Sequence, residues 1–438
     1  MNPKMFYSLL GVTSLVVVLG TVCLYQLGYE VLTPVYVGIT NAAGGQTEEQ
    51  LLKLISESVT KKLDQENLDR LFQTIMSMAN LDNPDDIKLV KSTLSENKHI
   101  LSSILTKVMN SKYGNDPHKL PKTLLSSEIS IKYKDMWRGH SLPIIVANPA
   151  GGVGNIMGQY ATVYGLYKIY NVTAFITNLL KVNLNRFFDN VTMRAVDIGD
   201  TKEERTAMGW TELHKDHRTA PSTYFGLQLG AAGFMGPRRF YTSGCPIELQ
   251  LFSIYREDFR HEFHFNEYLL HKANRVLSDF AQQAVLTKTD GSPTFISVHV
   301  RLKDYISHAL KRWGVENIPD IYKGYLRRAM QYYKDRYQNT IFVFASDDLE
   351  YIEDFVKLSR EKNIFISHGT QGEDMSLLTR CNHSIVTLGS FGFWTGFLSP
   401  GTTVYPDVRG HRAKSYHFTR RVIEEAQLDD FIPLPFEE

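Results

Sequence analysis

The sequence predicts an α/β protein built on parallel sheet, and two observations carry that prediction. In the last third of the 438-residue chain, short β-rich runs alternate with helical segments, as is typical of βαβ units. Earlier, the apolar run that begins at Ser141 breaks into glycines and is followed by the helix-like segment MGQYATVYGLYKIY. This repeats the order strand, loop, helix, so we expect two α/β domains, 139–290 and 291–438.

The composition describes a globular body without a strong electrostatic field. Hydrophobic residues make up 43% of the chain, charged residues 22%, and the formal net charge is +1. A field this weak does not recruit nucleic acid. We therefore expect no nucleic-acid partner.

Residues 5–27 predict a transmembrane signal anchor. No charged side chain lies between Lys4 and Glu30, and about 20 apolar residues suffice to cross a bilayer. The positive charge precedes the run, which predicts a cytosolic tail at 1–4 and a lumenal body. A cleaved signal peptide is the alternative, although its apolar core is about 7 to 15 residues long and ends at a small-x-small site that is not clear here.

Residues 28–138 predict a helical stem, because apolar residues recur there at three- and four-residue spacing on otherwise polar segments. Three sequons for N-glycosylation, at Asn171, Asn190 and Asn382, suit a lumenal protein, although such triplets also arise by chance. Of the three cysteines, Cys23 lies in the anchor. Cys245 and Cys381 remain, either as a disulfide pair or as two buried thiols.

Polar side chains follow the predicted strand TFISVHV, where ligands bind in parallel sheets. Arg301 directly follows this strand. His299 lies two residues before Arg301, and Asp304 lies three residues after it. A guanidinium group matches the oxygens of a phosphate and would neutralise a departing nucleoside diphosphate. The alternative is an ion pair between Arg301 and Asp304.

Two adjacent carboxylates, Asp347 and Asp348, follow the strand TIFVFAS. Such a pair indicates either a metal site or a helix N-cap, and capping of the helix that begins near Leu349 is the commoner arrangement.

Two glycine-containing turns each precede a helix. The run HSIVTLGS leads into FGFWTGFL, a helix that we expect to open at Gly392. The unpaired N–H groups and positive dipole end of a helix start form an anion site. The loop PAGGVGN, with Gly151, Gly152 and Gly154, has the same arrangement, or is a plain tight turn.

Three blocks resemble the animal galactoside α-1,2-fucosyltransferases, glycosyltransferase family 11, and the resemblance covers nearly all of 141–410. AGGVGNIMGQYATVYGLYKIY resembles the opening block of the family, SVHVRLKDY its HVRRGDY signature, and DMSLLTRCNHSIVTLGSFGFWTGFLS its closing block. The resemblance implies a GT-B-like fold of two Rossmann-like domains and a single-pass type II protein of the Golgi membrane. It also implies inverting transfer of fucose from GDP-fucose to the 2-hydroxyl of a galactose-terminated glycan, without a cofactor or a required metal.

The same resemblance assigns roles to individual residues. Arg301 is expected to contact the donor pyrophosphate. Independently of the resemblance, Asp304 is the best-placed carboxylate if a catalytic base is used, because it follows the same strand end; helix capping or pairing with Arg301 are the alternatives. The remaining assignments are guanosine binding by His299 and Asp374, the phosphate end by Ser390, Phe391 and Gly392, and an acceptor-side loop with Gly152 and Asn155.

The chain departs from the family pattern at four positions. Leu302 and Lys303 replace the second arginine and the glycine of the signature, and Gly152 and Ile156 replace an arginine and a glutamine of the opening block. One cationic contact is thus lost, which Lys303 could partly replace. Two alternatives follow: a catalytically silent sugar-binding homologue, or a fucosyltransferase with another acceptor.

Overall fold

The structure is a computed structural model that describes residues 84–96, 130–214, 223–286, 292–313, 315–359, 361–408 and 418–437. The predicted tail at 1–4, the predicted anchor at 5–27 and most of the predicted stem lie outside these ranges. Within the described ranges, no helix is long and apolar enough to cross a membrane.

The first part of the chain contains seven strands, eight α-helices and one 3-10 helix (Ser253–Tyr255) among the described residues. In chain order they are α1 (Pro84–Glu96), β1 (Met136–Trp137), β2 (His140–Ser141), β3 (Ile144–Ala147), α2 (Val153–Tyr170), β4 (Thr173–Thr177), α3 (Asn178–Asn185), β5 (Ala195–Val196), α4 (Lys202–Ala207), β6 (Trp210–His214), α5 (Thr223–Ala231), β7 (Arg239–Thr242), α6 (Leu249–Phe252), α7 (Arg256–Glu262) and α8 (Glu267–Gln283).

The second part contains six strands and six helices among the described residues. They are β8 (Thr294–Val300), α9 (Lys303–Trp313), α10 (Ile318–Lys334), β9 (Thr340–Ser346), α11 (Leu349–Ser359), β10 (Ile364–Ile366), α12 (Gln371–Thr379), β11 (His383–Val386), α13 (Ser390–Leu398), β12 (Thr403–Asp407), α14 (Arg420–Glu425) and β13 (Phe431–Pro435).

Two parallel sheets organise these elements. The five-stranded sheet has the order β5-β4-β3-β7-β6, and the six-stranded sheet has the order β10-β9-β8-β11-β12-β13. Every residue of the central strand β3 is buried, as expected for a parallel strand covered on both faces. The coarse prediction of an α/β fold with Rossmann-like parallel sheets is therefore confirmed.

The core of the six-stranded sheet follows from the apolar spacing of its helices. Along α10, Tyr322, Leu326 and Tyr333 are completely buried and lie on one face of the helix. The hydroxyl of Tyr325 on the same face donates to the carbonyl of Val386 at 2.8 Å, so the burial of this polar group is compensated. This packing holds β11 and its C-terminal turn in place.

The chain divides into two compact units, and both sheets belong to one of them. That unit comprises Ile144–Lys168, Thr173–Ala220 and Arg239–Glu438. The other comprises the chain up to Pro143, with Ile169–Val172 and Pro221–Arg238. In this other unit, Tyr133 donates to the carbonyl of Gly233 at 2.7 Å, and Arg238 pairs with Asp86.

The open question about the cysteines is settled for the described residues. Cys245 and Cys381 are both free thiols, the first half-buried and the second buried. Burial raises the pKa of each thiol. The alternative of two unpaired thiols is therefore the observed one.

Candidate functional site

Arg301 lies immediately after β8, at the carboxyl edge of the six-stranded sheet. Its backbone N–H donates to Oγ1 of Thr387 at 2.9 Å. Its Nε and Nη2 donate to the two carboxylate oxygens of Asp304 at 3.0 and 2.8 Å. The ion pair that the sequence left open is therefore present, and the arginine side chain is 36% exposed, so it can still meet a ligand.

Gly389 forms the turn beneath Arg301. Its φ of +126° is a conformation that L side chains rarely adopt. A Cβ at this position would also lie 3.4 Å from Cδ of Arg301 and 3.4 Å from the hydroxyl of Tyr305. Glycine thus lets the backbone approach the guanidinium closely.

His299 is buried beside the first turn of α13. Its ring stacks on Phe391 with centroids 4.6 Å apart, and a Cβ on Gly392 would lie 3.0 Å from its Nδ1. Burial, together with the nearby charge of Arg301, lowers the pKa of His299 to about 3, so the imidazole is neutral. Nδ1 has no hydrogen-bond partner among the described residues. It is therefore a polar atom with spare capacity for a ligand.

The start of α13 forms the floor of the site. The helix begins at Ser390, two residues before the expected start at Gly392, because Phe393 already donates to the carbonyl of Gly389 at 3.2 Å. The N–H groups of the first turn point out of the helix, and the positive end of the dipole lies there. All residues of α13 after Ser390 are buried, so this helix start is rigidly held.

The start of α2 meets the start of α13. Oγ of Ser390 donates to Oδ1 of Asn155 at 2.6 Å, and Nε1 of Trp394 donates to the carbonyl of Gly154 at 2.8 Å. A Cβ on Gly154 would lie 2.7 Å from the backbone nitrogen of Phe391. The predicted acceptor-side residue Asn155 is thus brought next to the predicted donor-side residues. Gly152 is exposed, with open space where a Cβ would lie.

Asp374 lies in the first turn of α12, a helix that packs against β8 and α13. Oγ of Ser367 donates to its Oδ1 at 2.6 Å. Burial raises the pKa of this carboxyl to about 6, and the hydrogen bond from Ser367 opposes the rise. The carboxyl therefore changes charge just below neutral pH.

The two carboxylates that follow β9, Asp347 and Asp348, both accept hydrogen bonds from the backbone. Oδ1 of Asp348 accepts from the backbone of Tyr351 at 3.1 Å, which confirms the N-cap interpretation. Asp347 accepts the backbone N–H of Leu302 at 2.8 Å. The side chain of Leu302 is buried in the core of the six-stranded sheet, whereas Lys303 is exposed on α9. Position 302 therefore supplies no side chain to the site.

The residues of the three sequons differ in accessibility. Asn171 and Asn382 are exposed and Asn190 is half-buried. Oδ1 of Asn382 accepts from the backbone of Phe295 at 2.8 Å. Glycosylation at these asparagines stays a prediction.

Within the described residues, no group of three or more His, Cys, Asp or Glu side chains lies close enough to hold a metal ion. The expectation that no metal is required stays a prediction.

Two residues of the site were not singled out by the sequence. Thr387 holds the backbone of Arg301, and Trp394 ties α13 to α2. Both lie in the run TLGSFGFW, so the signal was present in the closing block. Their partners are distant in sequence, however, and a local pattern does not reveal them.

The chain is similar to known proteins over more than half of its length. Residues 141–417 match the model of a family described as glycosyl transferase family 11. Galactoside alpha-(1,2)-fucosyltransferase 1 from Gorilla gorilla gorilla is 34% identical over 262 residues, which are 59% of this chain and 66% of that protein. The Homo sapiens protein of the same name has the same identity and coverage. The chain thus spans slightly less than two thirds of the length of these curated relatives.

Similarity to solved structures is weaker. The structure of Arabidopsis thaliana FUT1, a mutant in complex with GDP, has 12% sequence identity and a TM-score of 0.43, covering 74% of this chain and 80% of that chain. A similarity of this size supports no conclusion about this chain.

Proposed function

The chain belongs to glycosyl transferase family 11, and from this premise we propose that it is an inverting α-1,2-fucosyltransferase. It transfers L-fucose from GDP-fucose to the 2-hydroxyl of a terminal galactose on a glycan. The observation that carries the proposal is the meeting of Arg301 with the start of α13 around Gly389. A cation and a helix start without a side-chain cap, held together at a sheet edge, suit the diphosphate of a nucleotide sugar.

Charge neutralisation is the main catalytic contribution of this site. As the bond between fucose and the diphosphate breaks, negative charge develops on the GDP leaving group. The guanidinium of Arg301 and the N–H groups of Ser390, Phe391 and Gly392 are held in place before the reaction, so they stabilise that charge with little reorganisation. Donor binding exchanges part of the Arg301–Asp304 pair for phosphate oxygens.

Guanosine recognition is assigned to His299 and Asp374. A carboxylate accepts two N–H groups of a guanine edge, and the neutral imidazole offers Nδ1. Both residues flank α13, His299 through its stacking on Phe391 and Asp374 through α12. The base would thus lie at one end of the site and the diphosphate at the other.

The acceptor side is assigned to the loop before α2, with Gly152 and Asn155. An inverting transfer needs the acceptor hydroxyl on the face opposite the departing GDP, with late removal of its proton. Asn155 touches Ser390, so an acceptor held by this loop would reach the donor. Together with the two sheets, this assignment corresponds to a GT-B-like enzyme with an acceptor domain at 139–290 and a donor domain at 291–438.

Asp304 is the candidate base, and its pairing with Arg301 offers a test. The Asp304→Asn variant keeps the shape but cannot take a proton. If Asp304 is the base, kcat falls by at least about 100-fold while GDP binds as tightly as before or more tightly. If Asp304 only restrains Arg301, kcat changes little, and this outcome removes the base assignment.

The remaining parts of the proposal concern the setting of the enzyme. We assign it to the Golgi membrane as a type II protein, on the strength of the apolar run at 5–27. The reaction is assigned no metal and no cofactor, because Arg301 and the start of α13 can supply the positive charge.

The decisive experiment incubates the protein with labelled GDP-fucose and a glycan array, with GDP affinity measured by calorimetry. Label on galactose-terminated glycans supports the proposal, and label on other glycans changes the acceptor. GDP binding without transfer or donor hydrolysis favours the silent homologue instead. A folded protein without GDP affinity rejects the donor assignment.

A further inference from the structure

A small cavity lies beside the start of α13, at the carboxyl ends of β11 and β12. Its wall includes Gly389 and Phe393 from the start of α13 and Tyr405 from β12. Phe418 and Ile423 close it from the C-terminal segment. The space can hold one group about the size of a methyl group or a water molecule.

The wall of this cavity is mainly carbon. The rings of Phe393 and Phe418 stack with centroids 4.5 Å apart, and the ring of Phe431 lies 5.6 Å from that of Phe393. All three side chains are buried. The hydroxyl of Thr387 is already engaged by the backbone N–H of Arg301. An ordered water needs two to four polar partners, so an apolar group suits this space better.

The cavity borders the proposed diphosphate site. Gly389 belongs to its wall and immediately precedes Ser390, the first residue of α13. The position of a Gly389 Cβ also lies 3.4 Å from Cδ of Arg301. A sugar attached to a diphosphate held by Arg301 and the start of α13 would therefore lie next to this cavity.

We propose that this cavity binds the C6 methyl group of the donor sugar and so selects a 6-deoxyhexose over the corresponding hexose. The inference rests on the proposed function and adds the basis of donor-sugar specificity to it. A hydroxymethyl group is larger and would bury its O–H without a partner. The methyl group fills the space and gains burial.

The first test compares three donors that differ only at this carbon. GDP-L-fucose carries the methyl group, GDP-D-arabinose lacks it, and GDP-L-galactose carries a hydroxyl on it. We expect kcat/KM to fall about 3- to 10-fold without the methyl group and about 10- to 100-fold with the added hydroxyl. Equal use of GDP-L-fucose and GDP-L-galactose by the unchanged protein overturns the proposal.

The second test fills the cavity. Ile423→Phe adds volume next to Phe418, so it should make GDP-D-arabinose a better donor than GDP-L-fucose. The control is Ile352→Phe, the same substitution at a buried position on α11 that does not line the cavity. The dissociation constant of GDP, which carries no sugar, should stay within about threefold in both variants, since neither touches the diphosphate site.

A third variant covers the case in which Ile423→Phe does not fold. Phe418→Leu enlarges the cavity and should raise the use of GDP-L-galactose relative to GDP-L-fucose by about fivefold or more. An unchanged donor profile in the folded variants overturns the cavity assignment while the fucosyltransferase proposal stands. Absence of GDP binding and of transfer from every donor in the unchanged protein overturns the proposed function itself.

Discussion

The helices α2 and α13 begin in the same way, yet only one start is equipped for an anion. Each follows a buried strand through a turn that contains glycine. At the start of α2, Gly152 is exposed, with open space around the position of its missing Cβ. At the start of α13, Gly389 lies against Arg301, and His299 stacks on Phe391. The difference comes from neighbouring strands and not from the turns themselves.

Sheet register explains how these neighbours reach α13. In the pairing of β11 with β8, Val386 lies opposite His299. The residues that follow on both strands, Thr387 and Arg301, are then joined by a hydrogen bond. A helix start becomes a diphosphate site when an adjacent parallel strand delivers a cation to the same edge.

The helix α12 provides a third case, in which the start is already occupied. Thr370 and Glu373 form a capping box that satisfies N–H groups of the first turn. This helix can contribute the side chain of Asp374 but offers fewer free N–H groups to an anion. Only α13 among these three combines an uncapped start with an adjacent arginine.

The largest expected effect comes from Arg301, the cation that distinguishes the start of α13 from the start of α2. Arg301→Ala should lower kcat/KM for GDP-fucose at least about 100-fold and weaken GDP binding, because the developing charge on the diphosphate loses its cation. Arg301→Lys should recover part of the affinity, since it keeps the charge but loses the bidentate geometry. Steady-state kinetics and calorimetry with GDP measure both.

The control for this experiment is Arg336→Ala, in the connection between α10 and β9 that enters the sheet at its amino edge. This arginine lies over the ring of Tyr332, 3.6 Å from its centroid, away from the carboxyl edge of the sheet. Its replacement should leave transfer within about twofold of the unchanged protein. Near-normal activity of a folded Arg301→Ala variant would remove the arginine from the mechanism.

The next effect concerns the junction between the two helix starts. Gly154→Ala places a Cβ 2.7 Å from the backbone of both Ser390 and Phe391, so backbone atoms must move. Ala favours a helix over Gly by about 1 kcal/mol, but overpacking costs about 1 to 3 kcal/mol. We expect a net loss of stability in chemical denaturation and weaker GDP binding. Unchanged stability and unchanged GDP affinity would show that the two helix starts can move apart without consequence.

An intermediate effect comes from the titration of Asp374. Its pKa is raised to about 6 by burial, and guanine N–H groups bind the deprotonated form better. GDP affinity should therefore be lost as the pH falls through about 6, by up to about tenfold between pH 7 and pH 5. The Asp374→Asn variant should bind GDP less tightly at pH 7. Its GDP affinity should then vary with pH only through the ionisation of the phosphates. The same pH slope in both proteins would contradict the assignment.

The smallest effect is expected at Gly152. Gly152→Ala adds a methyl group where no atom lies within 4 Å, so the free energy of unfolding should change by no more than about 0.5 kcal/mol. GDP affinity should also stay the same. The variant is matched to Gly154→Ala, two residues away, and a large loss of GDP affinity would place this loop in the donor site.

The fold class and several residues of the candidate site could be predicted from the sequence. The alternation of β-rich and helical runs predicted the parallel sheets, because strand and helix periods are local properties of the chain. Arg301, His299 and the glycine turn before α13 were recognisable because they follow directly from predicted strand ends. The positions of these residues depend only on where a strand ends, which the local sequence indicates.

Tertiary structure decided what those residues do together. Ser390 and Asn155 are 235 residues apart, and no local pattern predicts their 2.6 Å hydrogen bond. The pairing of Arg301 with Asp304 was one of two open alternatives, and the burial of Leu302 depends on the helices packed against β8. Strand order and the orientation of each side chain arise from long-range packing, so only the folded chain could bring these groups to one edge of the sheet.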